Sequence, residues 1–165
     1  MSMRLSKILL VLAIALWLAL VAFGNITDYG SNWVFVQHVL AMDSIFPGAD
    51  IHYRAIHSPA LQHLAYLAII VVETLAAGLC SFGGWRMWRA RRASVATFRD
   101  AARVAVAGLS LGLLLWLGGF MAIGGEWFGM WMSSQWNGVA SAFRFVMVLL
   151  VALVYLGQRD HEAGG

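Results

Sequence analysis

Ile8–Phe23 reads ILLVLAIALWLALVAF, sixteen residues without a polar side chain. A helix that crosses the hydrocarbon of a bilayer needs roughly 17–25 mostly apolar residues, and this run reaches that length once its flanks are counted. Three further runs repeat the pattern. Leu64–Leu79 is interrupted chiefly by Glu73, Val104–Ile123 by Ser110 and glycines, and Val139–Leu156 by Ser141 and Arg144. Bare backbone finds no hydrogen-bond partner in hydrocarbon, so helices are the spanning structure these lengths allow. The first run could instead be a cleaved signal peptide, with Arg4 and Lys7 ahead of it and Ala22-Phe23-Gly24 behind. Its length and Trp17 favour a retained span.

The composition agrees. Of 165 residues, 61% are hydrophobic and 12% charged, with a mean hydropathy of +0.77. A soluble domain carries about 25% charged residues, so water is not the main solvent of this chain. The expected architecture is an all-α, four-transmembrane-helix bundle in a single domain, residues 1–165. Its spans fall near 8–24, 60–84, 103–123 and 138–157, with a disordered tail over 158–165.

Sidedness follows from the cations. Arg4 and Lys7 precede the first span, and Arg86, Arg89, Arg91, Arg92, Arg99 and Arg103 separate the second from the third. Arg159 follows the fourth. The remaining two loops contain only Arg54, against Asp28, Asp43, Asp50 and Glu126. The positive-inside rule then places both termini in the cytoplasm. The stretch WRMWRARR (85–92) is read the same way, as membrane-flanking charge and not as a nucleic-acid patch. Cys80, the one cysteine, forms no disulfide framework and reads as a small buried hydrophobe. Asn25-Ile26-Thr27 is read as a chance sequon.

The outer segments carry more detail. Within Ser31–Asp43 the apolar residues recur at helical spacing, which predicts a short helix on the periplasmic surface. Phe46-Pro47-Gly48 breaks it. Ser58-Pro59 restarts the chain with a hydroxyl N-cap and proline at the first helical position. The second outer segment is GGEWFGMWMSSQWNG (124–138), with three of the eight tryptophans. Gly124-Gly125 is expected to end the third span. Trp127 and Trp131, four apart, then share a face of a short interfacial helix, and with Trp136 they form a cap or an aromatic belt at the membrane surface. Glu126 would turn inward to Arg144 or Arg54.

Glu73 is the first candidate for a site, because a carboxylate inside a membrane is costly enough to need a named partner. At 100° per residue His63, Tyr66, Ile70, Glu73, Ala77 and Cys80 share one face about 100° wide, which is turned into the bundle. Gly108, Gly112 and Gly119 give the third span a surface for close approach. Glu73 is expected to be satisfied either by Arg144, about 10 Å into its span against about 20 Å for Glu73, or by a hydrogen-bonding neighbour on the first or third span; Arg144 could instead snorkel to Glu126 or Asp28. The candidate polar network is therefore Glu73, Arg144, His63, Tyr66, Glu126, Asp28 and Arg54. It reads either as a structural lock or as a site. His38 and Met42, His52, His57, His63 and the tail residue His161 match no metal-ligand spacing, so no metal is expected, and no motif assigns a cofactor or a catalytic residue.

Several of these segments carry a resemblance. Asn25-Ile26-Thr27-Asp28-Tyr29, Val39-Leu40-Ala41-Met42-Asp43, Arg54-Ala55-Ile56, Ser58-Pro59-Ala60-Leu61, and GGEWFGMWMSSQWNG followed by Phe143-Arg144-Phe145 resemble the bacterial predicted small integral membrane proteins of family DUF2165. The resemblance implies four transmembrane helices and a bacterial inner membrane, and it carries no activity. Three readings follow. The first is a non-enzymatic accessory or scaffolding protein, with a membrane-protein partner or a second copy. The second is a binder of a quinone or other lipophilic cofactor with proton-coupled chemistry. The third is a transporter or channel subunit acting as an oligomer.

Overall fold

The computed structural model describes residues 3–158; Arg159, His161 and the tail expected beyond Gln158 lie outside the described residues. Five helices make up most of the described residues. They are α1 (Met3–Thr27), α2 (Tyr29–Ala41), α3 (Pro59–Arg89), α4 (Val95–Leu114, prolonged as a wider helix over Leu115–Trp127) and α5 (Val139–Gly157). Single 3₁₀ turns at His52–Arg54 and Met130–Met132 complete them, and no strand occurs among the described residues. α1, α3, the prolonged α4 and α5 are each long and apolar enough to cross a membrane. Their outward faces are apolar too: Leu64 is 63% exposed and Val154 62%. Lipid, not water, is the solvent such a face requires.

Small residues set the spacing of the bundle. α3 lies between α1 and α4, and the seam with α4 is built from Gly83, Cys80, Ala105 and Gly108. A methyl group placed on Gly83 would strike the backbone of Ala105, and one on Gly108 would stand 2.8 Å from both N and Sγ of Cys80. The two backbones therefore approach as closely as glycine permits, the contact that replaces the hydrophobic effect between helices in lipid.

The ends of the bundle differ. At the arginine-rich end, Lys7 donates to the carbonyls of Leu156, in the last turn of α5, and of Gln158, just past it, at 3.3 and 2.7 Å. Arg4 donates to the carbonyls of Arg91 and Ala93 in the α3–α4 loop. These are the carbonyls a helix end or a tight loop leaves without intrahelical partners. Ser94 caps α4 by accepting from the Thr97 amide.

At the opposite end the chain folds back over the bundle. α2 begins two residues after α1, earlier than the sequence pattern suggests, and stops at Met42, whose φ of 52° is left-handed. That conformation costs a non-glycine residue about 1 kcal/mol. Complete burial of the methionine side chain offsets it. The Ile56 amide then donates to the Leu40 carbonyl at 2.8 Å, tying the returning loop to α2. α3 starts after Ser58 with Pro59 in its first turn, as expected, but the Ser58 hydroxyl makes no capping hydrogen bond among the described residues.

The third span departs from expectation. Gly124-Gly125 does not end it: the helix runs on to Trp127 with its backbone bonds reaching five residues back, as from the Phe128 amide to the Ile123 carbonyl at 3.0 Å. The widened turn brings residues four apart nearly above one another, so Trp116 stacks on Phe120 with centroids 4.4 Å apart. Widened turns of this kind recur at functional sites.

Candidate functional site

Glu73 is the buried centre of the cap-side half of the bundle, 1% exposed on the inner face of α3 with Tyr66, Ile70, Ala77 and Cys80. His63, on the same face, is half-buried. Arg144 is not its partner. Asn25, in the last turn of α1, donates its side-chain amide to Glu73 Oε2 at 2.6 Å. The Tyr66 hydroxyl donates to the Asn25 carbonyl at 3.1 Å and holds that turn in place. Above it the Tyr29 hydroxyl and His63 Nδ1 are 2.7 Å apart, and the His63 ring lies flat on Trp33 with centroids 3.6 Å apart. α1, α2 and α3 are thus joined by one polar and aromatic ladder ending at the carboxylate.

Arg144 sits on the exposed side of α5 and donates to Ser141 Oγ at 2.9 Å. The expected ion pair fails because α5 turns Ala142, Val146 and Leu149 inward, and residue 144 falls off that stripe. Asp28 and Glu126 are exposed as well, and neither has an ion-pair partner among the described residues.

The tryptophan-rich segment is also rearranged. Trp127 and Trp131 share no helix. They are separated by Gly129 at φ 66° and remain about half exposed. Phe128 and Met130 are the side chains that insert into the core, beside Val36, Val39 and Leu40 of α2. Arg54 closes this cap through Trp127, donating to its carbonyl at 3.2 Å with the guanidinium 4.5 Å from its ring. Trp136 stacks on His38, whose Nδ1 is 2.8 Å from the Asp43 carboxylate. Exchange of Glu126 for Gln should therefore leave the melting midpoint unchanged. Arg54→Ala should lower the stability by about 0.5–1 kcal/mol, the worth of an exposed cation over a ring; thermal unfolding of the two purified variants is the check.

Between these elements lies a chamber of about 360 Å³. Its floor is Glu73 and Tyr66 of α3, its walls are Asn25 of α1, Phe35 and Val36 of α2, and Trp116, Phe120 and Phe145, and its mouth is Asn32, Asn137 and Ser141. Glu73 Oε1 and Trp116 Nε1 are both buried and both lack a hydrogen-bond partner among the described residues. Such groups are rare because each costs about 1–3 kcal/mol. Trp116 is held by stacking alone, 3.9 Å from the Phe145 ring, which is stacked in turn on Trp17 at 4.1 Å. A second hollow of about 290 Å³ is wholly apolar in its side chains and shares Phe35, Val36, Ile69 and Phe120 with the chamber.

Residues 3–159 match the family model described as predicted small integral membrane protein, DUF2165. The chain belongs to the DUF2165 family. It is a small integral membrane protein, and the ladder and chamber above are features of a DUF2165 chain as this sequence builds them. The chain matches no curated protein and no solved structure.

Sequence reasoning named Glu73, Tyr66 and His63, which the ladder unites, and also Arg144, Glu126 and Asp28, which it leaves out. It missed Asn25, hidden inside a sequon, and Trp116, hidden inside an apolar run. One signal for Asn25 was available: an amide one turn from the end of an apolar helix needs a buried acceptor. Among the described residues no three His, Cys, Asp or Glu side chains converge as a metal site.

Proposed function

We propose that this protein is a non-enzymatic accessory protein of the bacterial inner membrane that holds the polar head of a lipophilic molecule in the Glu73 chamber. One observation carries the reading: two side chains that line the same hollow, Glu73 and Trp116, each hold a buried polar atom, the acceptor Oε1 and the donor Nε1, without a partner among the described residues. A head group that both donates and accepts satisfies them together, and the adjoining apolar hollow accommodates its tail. At about 360 Å³ the chamber lies in the usual range for small-molecule sites, roughly 300–1,000 Å³. Quinones and amphipathic lipids are the two ligand classes of this shape.

Binding fits better than passage. Towards the arginine-rich end the core below Glu73 consists of Ile14, Leu18, Ala76, Ala77, Cys80, Leu109 and Leu149, all buried and apolar. A transported solute would need a route supplied by a partner or a second copy.

The expected result is a lipophilic molecule retained in stoichiometric amount by protein purified in mild detergent, detected by mass spectrometry of an organic extract. Ser141→Trp fills the mouth from an exposed position and should remove that molecule while circular dichroism stays as in the wild type and the melting midpoint matches that of the delipidated wild type. A wild-type protein that retains nothing stoichiometric overturns the reading.

The orientation belongs to the same proposal: both termini cytoplasmic and the chamber's mouth near the periplasmic surface, on the arginine distribution. A cysteine introduced at Asp50 should react with a membrane-impermeant thiol reagent added from the periplasmic side, and one at Ser94 should not. The reverse pattern inverts the topology.

A further inference from the structure

We propose that the head group held in the chamber is zwitterionic, with a primary ammonium on Glu73 and an anionic phosphate on Arg144, the chemistry of an aminophospholipid. The inference rests on the chamber being a ligand site, as argued above, and adds the class of ligand.

A carboxyl group, that of Glu73, lines the chamber, and a guanidinium, that of Arg144, stands outside its lining beside Ser141; neither has a charged partner among the described residues. Glu73 is 1% exposed and receives only the neutral Asn25 amide. Among the described residues no Arg, Lys or His side chain lines the chamber. Removing a carboxylate from water without a cation is expensive, and Oε1 has an unused acceptor site. The surrounding rings of Tyr66, Trp116 and Phe145 suit a cation, which aromatic faces attract. An ammonium bearing N–H groups meets the demands of Glu73, and a phosphate oxygen behind it can accept from Trp116 Nε1.

Arg144 stands at the mouth. Its guanidinium bonds Ser141 Oγ at 2.9 Å, Ser141 itself lines the opening, and no carboxylate pairs with it among the described residues. Guanidinium is the side chain best matched to a phosphate. The first turn of α5 starts at Val139 beside it and adds the partial positive charge of a helix N-terminus. The two charges that sequence reasoning paired directly are thus set apart, one at the floor and one at the rim. A zwitterion spans them, and the apolar hollow that shares Phe35 and Phe120 receives an acyl chain.

The amine must carry hydrogens to reach Oε1, so phosphatidylethanolamine should bind and its trimethylated counterpart, phosphatidylcholine, should not. The test is native mass spectrometry of delipidated full-length protein titrated with phosphatidylethanolamine, phosphatidylcholine, phosphatidylglycerol and a short-tailed ubiquinone. The expected result is retention of phosphatidylethanolamine about tenfold or more above the other two phospholipids, the worth of a hydrogen bond to a charged group. Glu73→Gln should abolish the preference over phosphatidylcholine. Arg144→Gln, at an exposed position that leaves the fold intact, should weaken all three phospholipids while sparing the quinone. Equal binding of the three phospholipids, or a preference that survives Glu73→Gln, overturns the zwitterion. Quinone binding without phosphatidylethanolamine binding overturns it too but leaves the chamber a ligand site. Binding of no probe removes both.

Discussion

Gly83→Leu is expected to lower the stability of the purified protein by about 3 kcal/mol, the upper end of what overpacking costs, or to prevent the bundle from assembling. The atoms in the way are the main-chain N and Cα of Ala105, and main chain cannot turn aside as a flexible side chain does. α3 and α4 would have to part along the whole seam, taking Cys80 and Gly108 out of contact. Gly78 supplies the control. It lies on the same helix, exposed, with nothing within 4 Å of an added methyl group, so Gly78→Leu adds an apolar side chain to a lipid-facing surface and should melt with the wild type. Thermal unfolding in one detergent compares the pair directly. If both variants melt together, α3 and α4 are not seated on each other in this way.

That seam shows how much of the fold can be read in advance and where reading stops. Gly108 was identifiable because it belongs to a small-residue stripe on its own helix. Its counterpart surface at Cys80 and Gly83 was not, since helix spacing within one segment says nothing about which neighbour it meets. The number of spans, the start of α3 at Pro59 and the inward face of α3 depend on local sequence, and all were legible. The glycine pair at 124–125 misled for a physical reason. Glycine permits a helix to end but does not compel it, and in hydrocarbon an ended helix leaves carbonyls unpaired. The chain widens its turn to Trp127 instead. The same limit applies to the charges. Glu73 announced a site by its cost alone, yet its partner came from a neutral amide 48 positions away, which no charge census finds.

Asn25→Leu is expected to be the second most damaging change, at about 2 kcal/mol, because it strips from a buried carboxylate its one hydrogen bond among the described residues instead of merely losing a contact. Glu73→Leu alone should cost less: the Asn25 amide loses its acceptor, but it sits half-buried near the chamber mouth, where water can replace it. The double variant decides between a coupled pair and two separate packing positions. With both polar groups gone neither is orphaned, and two apolar residues of similar length occupy the space, so Asn25→Leu/Glu73→Leu should be more stable than Asn25→Leu by itself. A second substitution that restores stability is the mark of interaction between neighbours, whereas independent sites add. Melting midpoints of the delipidated wild type, the two single variants and the double variant complete the cycle. If the losses simply sum, the 2.6 Å contact contributes nothing to stability. Glu73 would then be held in place by α3 alone, and the carboxylate would be retained for the chamber beside it.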